Sequence, residues 1–238
     1  MSTVDTIVKE IKSFGDAKYA LHHYKFFKCD GGYGDPKDQF CGIRAPDMGR
    51  LVKKHWKDVA YENLKKLIVH KVHEVRTFVL AVLVEKYGRT DETEREKIVK
   101  FYLAHTNHIN NWDLVDISCY KILGRWCFDQ GDYSILEKLS RSKNLWEQRI
   151  AMVSTYWPTH RGNFKPVLGL AEKFLSHSHD LIHKASGWML REVGKQGEAG
   201  YKMLVKFLDK HSGSMPRTML RYAIERFEPE LRRHYMGK

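Results

Sequence analysis

Apolar residues recur at three- and four-residue spacing over most of this chain, alternating β-branched runs are few, and Pro and Gly fall mostly between the periodic segments. That pattern predicts an all-α protein. Residues 3–14 and 16–28 read as a first pair of helices, and the Gly-rich stretch from Asp30 to Pro36 suits only a loop. Helical spacing resumes after Pro46 and runs through Trp56. Further along, Asn110-Asn111-Trp112-Asp113-Leu114-Val115-Asp116 opens a helix expected to reach about Gln130, with Val115, Cys119, Ile122 and Trp126 as its apolar stripe. Trp112 and Asp116 stand one turn apart on one face, beside that stripe and not within it. Helix capping accounts for Asn111 as N-cap and for Asp113 near the positive end of the dipole.

From Trp56 onward the segments come as helix pairs, and the second members can be overlaid without gaps. Their aligned positions are Glu74-Val75-Arg76-Thr77, Leu114-Val115-Asp116-Ile117, Glu147-Gln148-Arg149-Ile150, Ile182-His183-Lys184-Ala185 and Met215-Pro216-Arg217-Thr218. The charged third position recurs at intervals of 40, 33, 35 and 33 residues, as two-helix units of HEAT, armadillo or similar repeats do. The expectation is a single solenoid domain over 1–238, with N-terminal helices and the Gly-rich loop in 1–45 and helix-pair repeats in 46–238. In a stacked solenoid the second helices line the concave wall, so Arg76, Arg149, Lys184 and Arg217 would form a basic stripe able to follow a phosphate backbone. Asp116 interrupts that row. Either it pairs with a flanking arginine or it has a chemical task, and spacing alone leaves both open. Trp188 follows Lys184 by one turn as Trp112 precedes Asp116 by one, although an indole on a helix is commonly core.

Charge sharpens the partner class. The 238 residues carry 41 Lys and Arg against 29 Asp and Glu, a formal net charge of +12, with a sequence pI near 9.4. A polyanion, nucleic acid or an acidic surface, is the expected partner. Hydrophobic residues make up 42% and the mean hydropathy is −0.52, which fits a globular protein with no apolar run long enough for a bilayer. The N-terminal stretch, holding Asp5, Lys9, Glu10 and Lys12, lacks a signal-peptide pattern, so the cytoplasm is the expected location. Cys29, Cys41, Cys119 and Cys127 have no metal-ligand spacing and read as free thiols. The thirteen histidines lack the companion ligands of a metal site, and no cofactor motif is present.

These residues resemble the AlkD-like family of HEAT-repeat alkylpurine DNA glycosylases. The likeness runs over nearly the whole chain, through Tyr24-Lys25-Phe26-Phe27-Lys28, the loop from Gly32 to Asp35 into Phe40-Cys41-Gly42-Ile43 and Pro46, Asn111-Trp112-Asp113-Leu114-Val115-Asp116, Trp146-Glu147-Gln148-Arg149, and Gly187-Trp188-Met189-Leu190-Arg191-Glu192. The resemblance implies an enzyme that hydrolyses the N-glycosidic bond of N3- and N7-alkylated purines in duplex DNA without a deep base-flipping pocket; a monomer is the expected state. It implies that Asp116 is catalytic, that Trp112 and Trp188 contact the damaged nucleotide, and that Arg149 supports DNA binding.

The residue types suit that chemistry. An alkylated purine is already cationic and departs readily, so one carboxylate that stabilises the sugar cation and orients water suffices without a general acid. Indole faces favour a cationic nucleotide by about 0.5 to 2 kcal/mol each. Arg76, Lys184, Arg191 and Arg217 would hold flanking phosphates, giving affinity without sequence preference. The alternatives are a non-catalytic nucleic-acid-binding module and a protein-interaction scaffold on the same repeats.

Overall fold

The computed structural model describes residues 3–237. Their regular structure is helical, apart from one isolated parallel bridge between Gln39 and Val72. The chain divides into two compact units, Met1–Ser118 and Cys119–Lys238.

The first unit holds α1 (Thr3–Ser13), α2 (Ala17–Phe26), α3 (Ala45–His55), α4 (Tyr61–Ile68), α5 (His73–Gly88), α6 (Glu92–Ala104), a 3-10 turn (Thr106–His108) and α7 (Trp112–Cys119). Helix α5 is its centre. Ten of its sixteen residues are buried, and they include His73, Glu74 and Arg76 as well as Val75, Phe78, Val79 and Leu83. A helix buried on nearly every side must be covered all round, and α1, α3, α4 and α6 all pack on it. Ile7 and Ile11 of α1 and Leu64, Leu67 and Ile68 of α4 supply the facing apolar surface. The long connection between α2 and α3 is stitched to the start of α5, since Gln39 N–H donates to the Lys71 carbonyl (3.0 Å) and His73 N–H to the Gln39 carbonyl (2.8 Å). Gly42 (φ +80°) allows this path, because a Cβ there would stand 2.2 Å from the Asp16 carbonyl.

The second unit begins inside a helical run. After α7 come a π-helical turn (Tyr120–Gly124), α8 (Arg125–Gln130), α9 (Ser134–Ser140), α10 (Leu145–Ser154), α11 (Tyr156–Thr159), α12 (Lys165–Lys173), a 3-10 turn (Phe174–Ser176), α13 (Asp180–Gly194), α14 (Gly197–His211), α15 (Arg217–Ala223) and α16 (Pro229–Gly237). The run does end at Gln130, capped by Gly131 in the left-handed region. The extra residue of the π turn shifts the stripe, however. Val115, Cys119 and Ile122 are buried as expected, but burial then moves to Leu123 and Cys127, and Trp126 is only half-buried. Helix α13 is the core of this unit and packs on α10, α12, α14 and α15. Gly187 lets α15 come close, as a Cβ there would stand 2.4 Å from the Met219 carbonyl.

The repeat register is visible helix by helix. Arg76, Asp116, Arg149 and Lys184 all fall in the first turn or so of α5, α7, α10 and α13. Arg217 is instead the first residue of α15, because Pro216 at the N-cap stops the helix from starting earlier. Among the described residues no helix is long and apolar enough to cross a membrane.

Candidate functional site

In the first unit the start of α7 is fixed by charge. His73 Nε2 lies 2.7 Å from Asp113 Oδ2, and its Nδ1 lies 3.4 Å from Asp38 Oδ2. Arg76 donates to the same Asp38 oxygen (2.8 Å), to Asn110 Oδ1 (2.9 Å) and to the His70 carbonyl (2.9 Å). Two cations and two anions thus neutralise one another almost wholly out of water. Burial pushes the His73 imidazole toward its neutral form, but the Asp113 charge and hydrogen bond, aided by Asp38, outweigh it and raise the pKa from 6.5 to about 9. Burial likewise opposes ionisation of Asp38, and its hydrogen bond with His73 and the charge of Arg76 hold it below the usual carboxylate range. The charged imidazole also stacks on Phe27 (5.0 Å) and Phe40 (4.9 Å).

Trp112 and Asp116 ride on this foundation. Asn111 is fully buried; its amide donates to the Phe27 carbonyl (3.1 Å) and its Oδ1 accepts from Trp112 N–H (2.9 Å). The Trp112 ring meets Phe27 (5.4 Å) and the edge of Phe26 (5.6 Å), and Phe26 is half exposed. Trp112 and Asp116 are both half-buried, one turn apart, beside the buried Val115 and Cys119. A half-buried indole and carboxylate keep surface for a ligand while their backbone is held rigid.

Trp188 is steadied differently in the second unit. Its Nε1 donates to Glu192 Oε1 (3.2 Å), one turn on along α13. Glu192 is only 2% exposed, yet it also meets Lys195 Nζ (2.8 Å), His160 Nε2 (3.3 Å) and Arg191 (3.7 Å). Tyr156 lies 6.2 Å from the Trp188 ring and stacks on His160 (4.1 Å).

The anticipated row of phosphate-binding cations is uneven. Arg76, expected as a phosphate ligand, is 3% exposed and its guanidinium is committed to Asp38, Asn110 and His70. Shared register fixes a direction around a helix, not a depth: at α5 the connection from α2 brings the buried Asp38 over Arg76. Arg149 is 5% exposed and donates to the Leu181 carbonyl (2.8 Å), tying α10 to α13. Lys184 is partly exposed and pairs with Asp180 (2.7 Å). Arg191 pairs with Glu225 and Glu192. Arg217 is exposed and donates to the Met236 carbonyl (2.7 Å). Cys29, Cys119 and Cys127 are buried free thiols and Cys41 a half-buried one.

Sequence reasoning missed His73, Asp38, Tyr156 and Glu192. The Asp113 signal was taken up by capping, whereas its partner lies 40 residues away. The Gly-rich loop was legible as a loop, but not as the segment that carries Asp38 and Phe40 to α5.

Comparison with known proteins shows the family and the fold. A family model described as DNA alkylation repair enzyme matches residues 7–227. No curated protein matches the chain. Among solved structures, a predicted DNA alkylation repair enzyme from Enterococcus faecalis is similar with a TM-score of 0.68 at 16% identity, over 90% of this chain and 97% of that one. A second, described as a new family of proteins related to the HEAT-like repeat DNA glycosylases with affinity for branched DNA structures, has a TM-score of 0.61 at 12% identity, over 88% and 83%. Those likenesses establish an all-α fold like that of the HEAT-like repeat glycosylase relatives, and the matched model extends over nearly the full length: the chain belongs to the DNA alkylation repair enzyme family.

Proposed function

We propose that this protein hydrolyses the N-glycosidic bond of N3- and N7-alkylated purines in duplex DNA. The observation that carries the reading is the pair Trp112 and Asp116, half-buried on successive turns of a helix whose start is locked by the His73–Asp113 ion pair. Asp116 supplies a negative charge where the sugar cation develops and orients the attacking water. The purine leaves as a neutral base once the bond breaks, so its own positive charge replaces a general acid. Trp112 offers an electron-rich face to that cation, and a neutral purine gains less from it, so discrimination follows from lesion chemistry. Trp188 is a second nucleotide contact, and its indole N–H is turned to Glu192. Arg149 supports the protein side of DNA binding, and Lys184, Arg191 and Arg217 contribute positive charge toward the backbone.

The test is release of alkylated base from methylated duplex DNA by the unmodified protein and by Asp116→Asn, with duplex binding measured in parallel. Loss of release with binding retained supports the reading. Equal release by both proteins, or none by either, refutes it.

A non-catalytic DNA-binding role is the second reading, favoured by the fold shared with relatives described as having affinity for branched DNA. It expects no base release and tighter binding to a four-way junction than to a duplex of equal length. Asp116→Asn would then leave binding unchanged or strengthen it.

A further inference from the structure

A second constellation in Cys119–Lys238 lies outside the residues assigned above. Gly124 closes the π turn against the end of α10, where a Cβ would stand 2.2 Å from the Ser154 carbonyl and 3.2 Å from Trp157 Cβ. Only a glycine permits that approach, and π turns recur where a helix must re-aim its side chains. The consequence is that Arg125, the next residue, reaches the Trp157 ring, with its guanidinium carbon 5.4 Å from the ring centroid. Arg161 lies over the same indole at 3.7 Å and is 5.8 Å from the Phe128 ring.

Stability does not account for the arrangement. Two like charges converge on one ring, and an exposed cation-π contact returns less than the rotamer entropy lost in ordering an arginine side chain. The charges are also unequally satisfied. Arg125 pairs with Asp129 at 3.6 Å. Arg161 is exposed and the described hydrogen bond of its guanidinium runs to the Trp157 carbonyl (3.2 Å); among the described residues no carboxylate pairs with it. The guanidinium, 3.7 Å from the indole centroid, spends an Nη1 hydrogen on the Trp157 carbonyl, and among the described residues its remaining N–H groups meet no protein acceptor. A planar fork of donors held in this way matches a phosphate diester.

We propose that Arg161, ordered by Trp157 and accompanied by Arg125, is a DNA-backbone clamp, a phosphate-binding element distinct from the alkylpurine residues. It rests on the reading of this protein as a duplex-DNA binder and not on base release. Because the indole face is occupied by guanidinium, the element grips phosphate and does not stack bases, so its contribution is independent of sequence and of damage.

The experiment measures binding of the full chain to an undamaged duplex across a salt series, for the unmodified protein, Arg161→Ala and Arg161→Lys. Arg161→Ala is expected to lower the slope of log affinity against log salt by about 0.9, the value of one phosphate contact, and to weaken low-salt binding about tenfold. Arg161→Lys keeps the charge and loses the stacked fork, so it should retain the slope and recover only part of the affinity. The same effect on two unrelated sequences supports the clamp. Unchanged slope and affinity in Arg161→Ala overturn it, and so does a loss of binding to polyglutamate with none to DNA, which would mark an acidic protein as the partner. Lowered slope in a protein that releases no alkylated base leaves the clamp standing and removes the glycosylase reading; the converse result removes the clamp alone.

Discussion

Trp112 in the first unit and Trp188 in the second are both steadied by a carboxylate, but the surroundings of the two carboxylates differ. Asp113 belongs to a closed quartet with His73, Asp38 and Arg76, whose histidine, arginine and Asp38 side chains are almost entirely hidden from water. Glu192 is more deeply buried than Asp113, yet the side chains around it, Lys195, His160 and Arg191, keep contact with solvent. Removing one member of a closed quartet leaves an unpaired buried charge, whereas surface cations released from a carboxylate simply rehydrate. The first arrangement is therefore a structural keystone, and the second a tether for one ring.

The largest effect expected from this contrast is at Asp38. Asp38→Ala strands Arg76 and His73 and should destabilise the protein by about 3–5 kcal/mol in denaturant unfolding. A loss below about 1 kcal/mol would mean that the quartet is hydrated after all. Next in size is a pH effect. His73 has its pKa raised from 6.5 to about 9 on folding, so its contribution is complete below pH 6.5 and disappears as pH rises through about 9. That amounts to a decline on the order of 3 kcal/mol over this window, absent in His73→Gln. Superimposable pH profiles for the two proteins would break the contrast. Smallest is Glu192→Ala, expected to cost about 1–2 kcal/mol while loosening the Trp188 ring, read as a change in indole fluorescence against a Trp188→Phe control. A cost equal to that of Asp38→Ala would erase the distinction between keystone and tether.

The elements were legible because helical spacing and Pro–Gly punctuation are local. Helices at 3–13, 17–26 and 45–55 lie within a few residues of where the pattern put them, and four of the five charged repeat positions share a register. What the pattern did not carry was depth. Arg76 and Lys184 occupy equivalent places in their helices, but Arg76 is paired with the buried Asp38 brought in by the α2–α3 connection, whereas Lys184 pairs with the exposed Asp180. Trp112 and Asp116 were readable as a pair because one turn of helix joins them. The His73–Asp113 pair was not, since its formation depends on how α5 and the start of α7 pack. The π turn was equally hidden: Tyr120–Gly124 keeps the helical spacing of its neighbours, yet it shifts the buried stripe from Trp126 to Cys127.

The central claim is that the Asp116 carboxylate drives departure of a cationic purine. It is tested most directly by single-turnover release of N3- and N7-methylpurines from methylated duplex DNA, comparing the unmodified protein with Asp116→Asn at saturating protein. Asp116→Asn is expected to release these bases at least about a hundredfold more slowly, with duplex affinity equal or slightly higher. Release at the same rate by the two proteins, or no release above the spontaneous rate by the unmodified one, would contradict it.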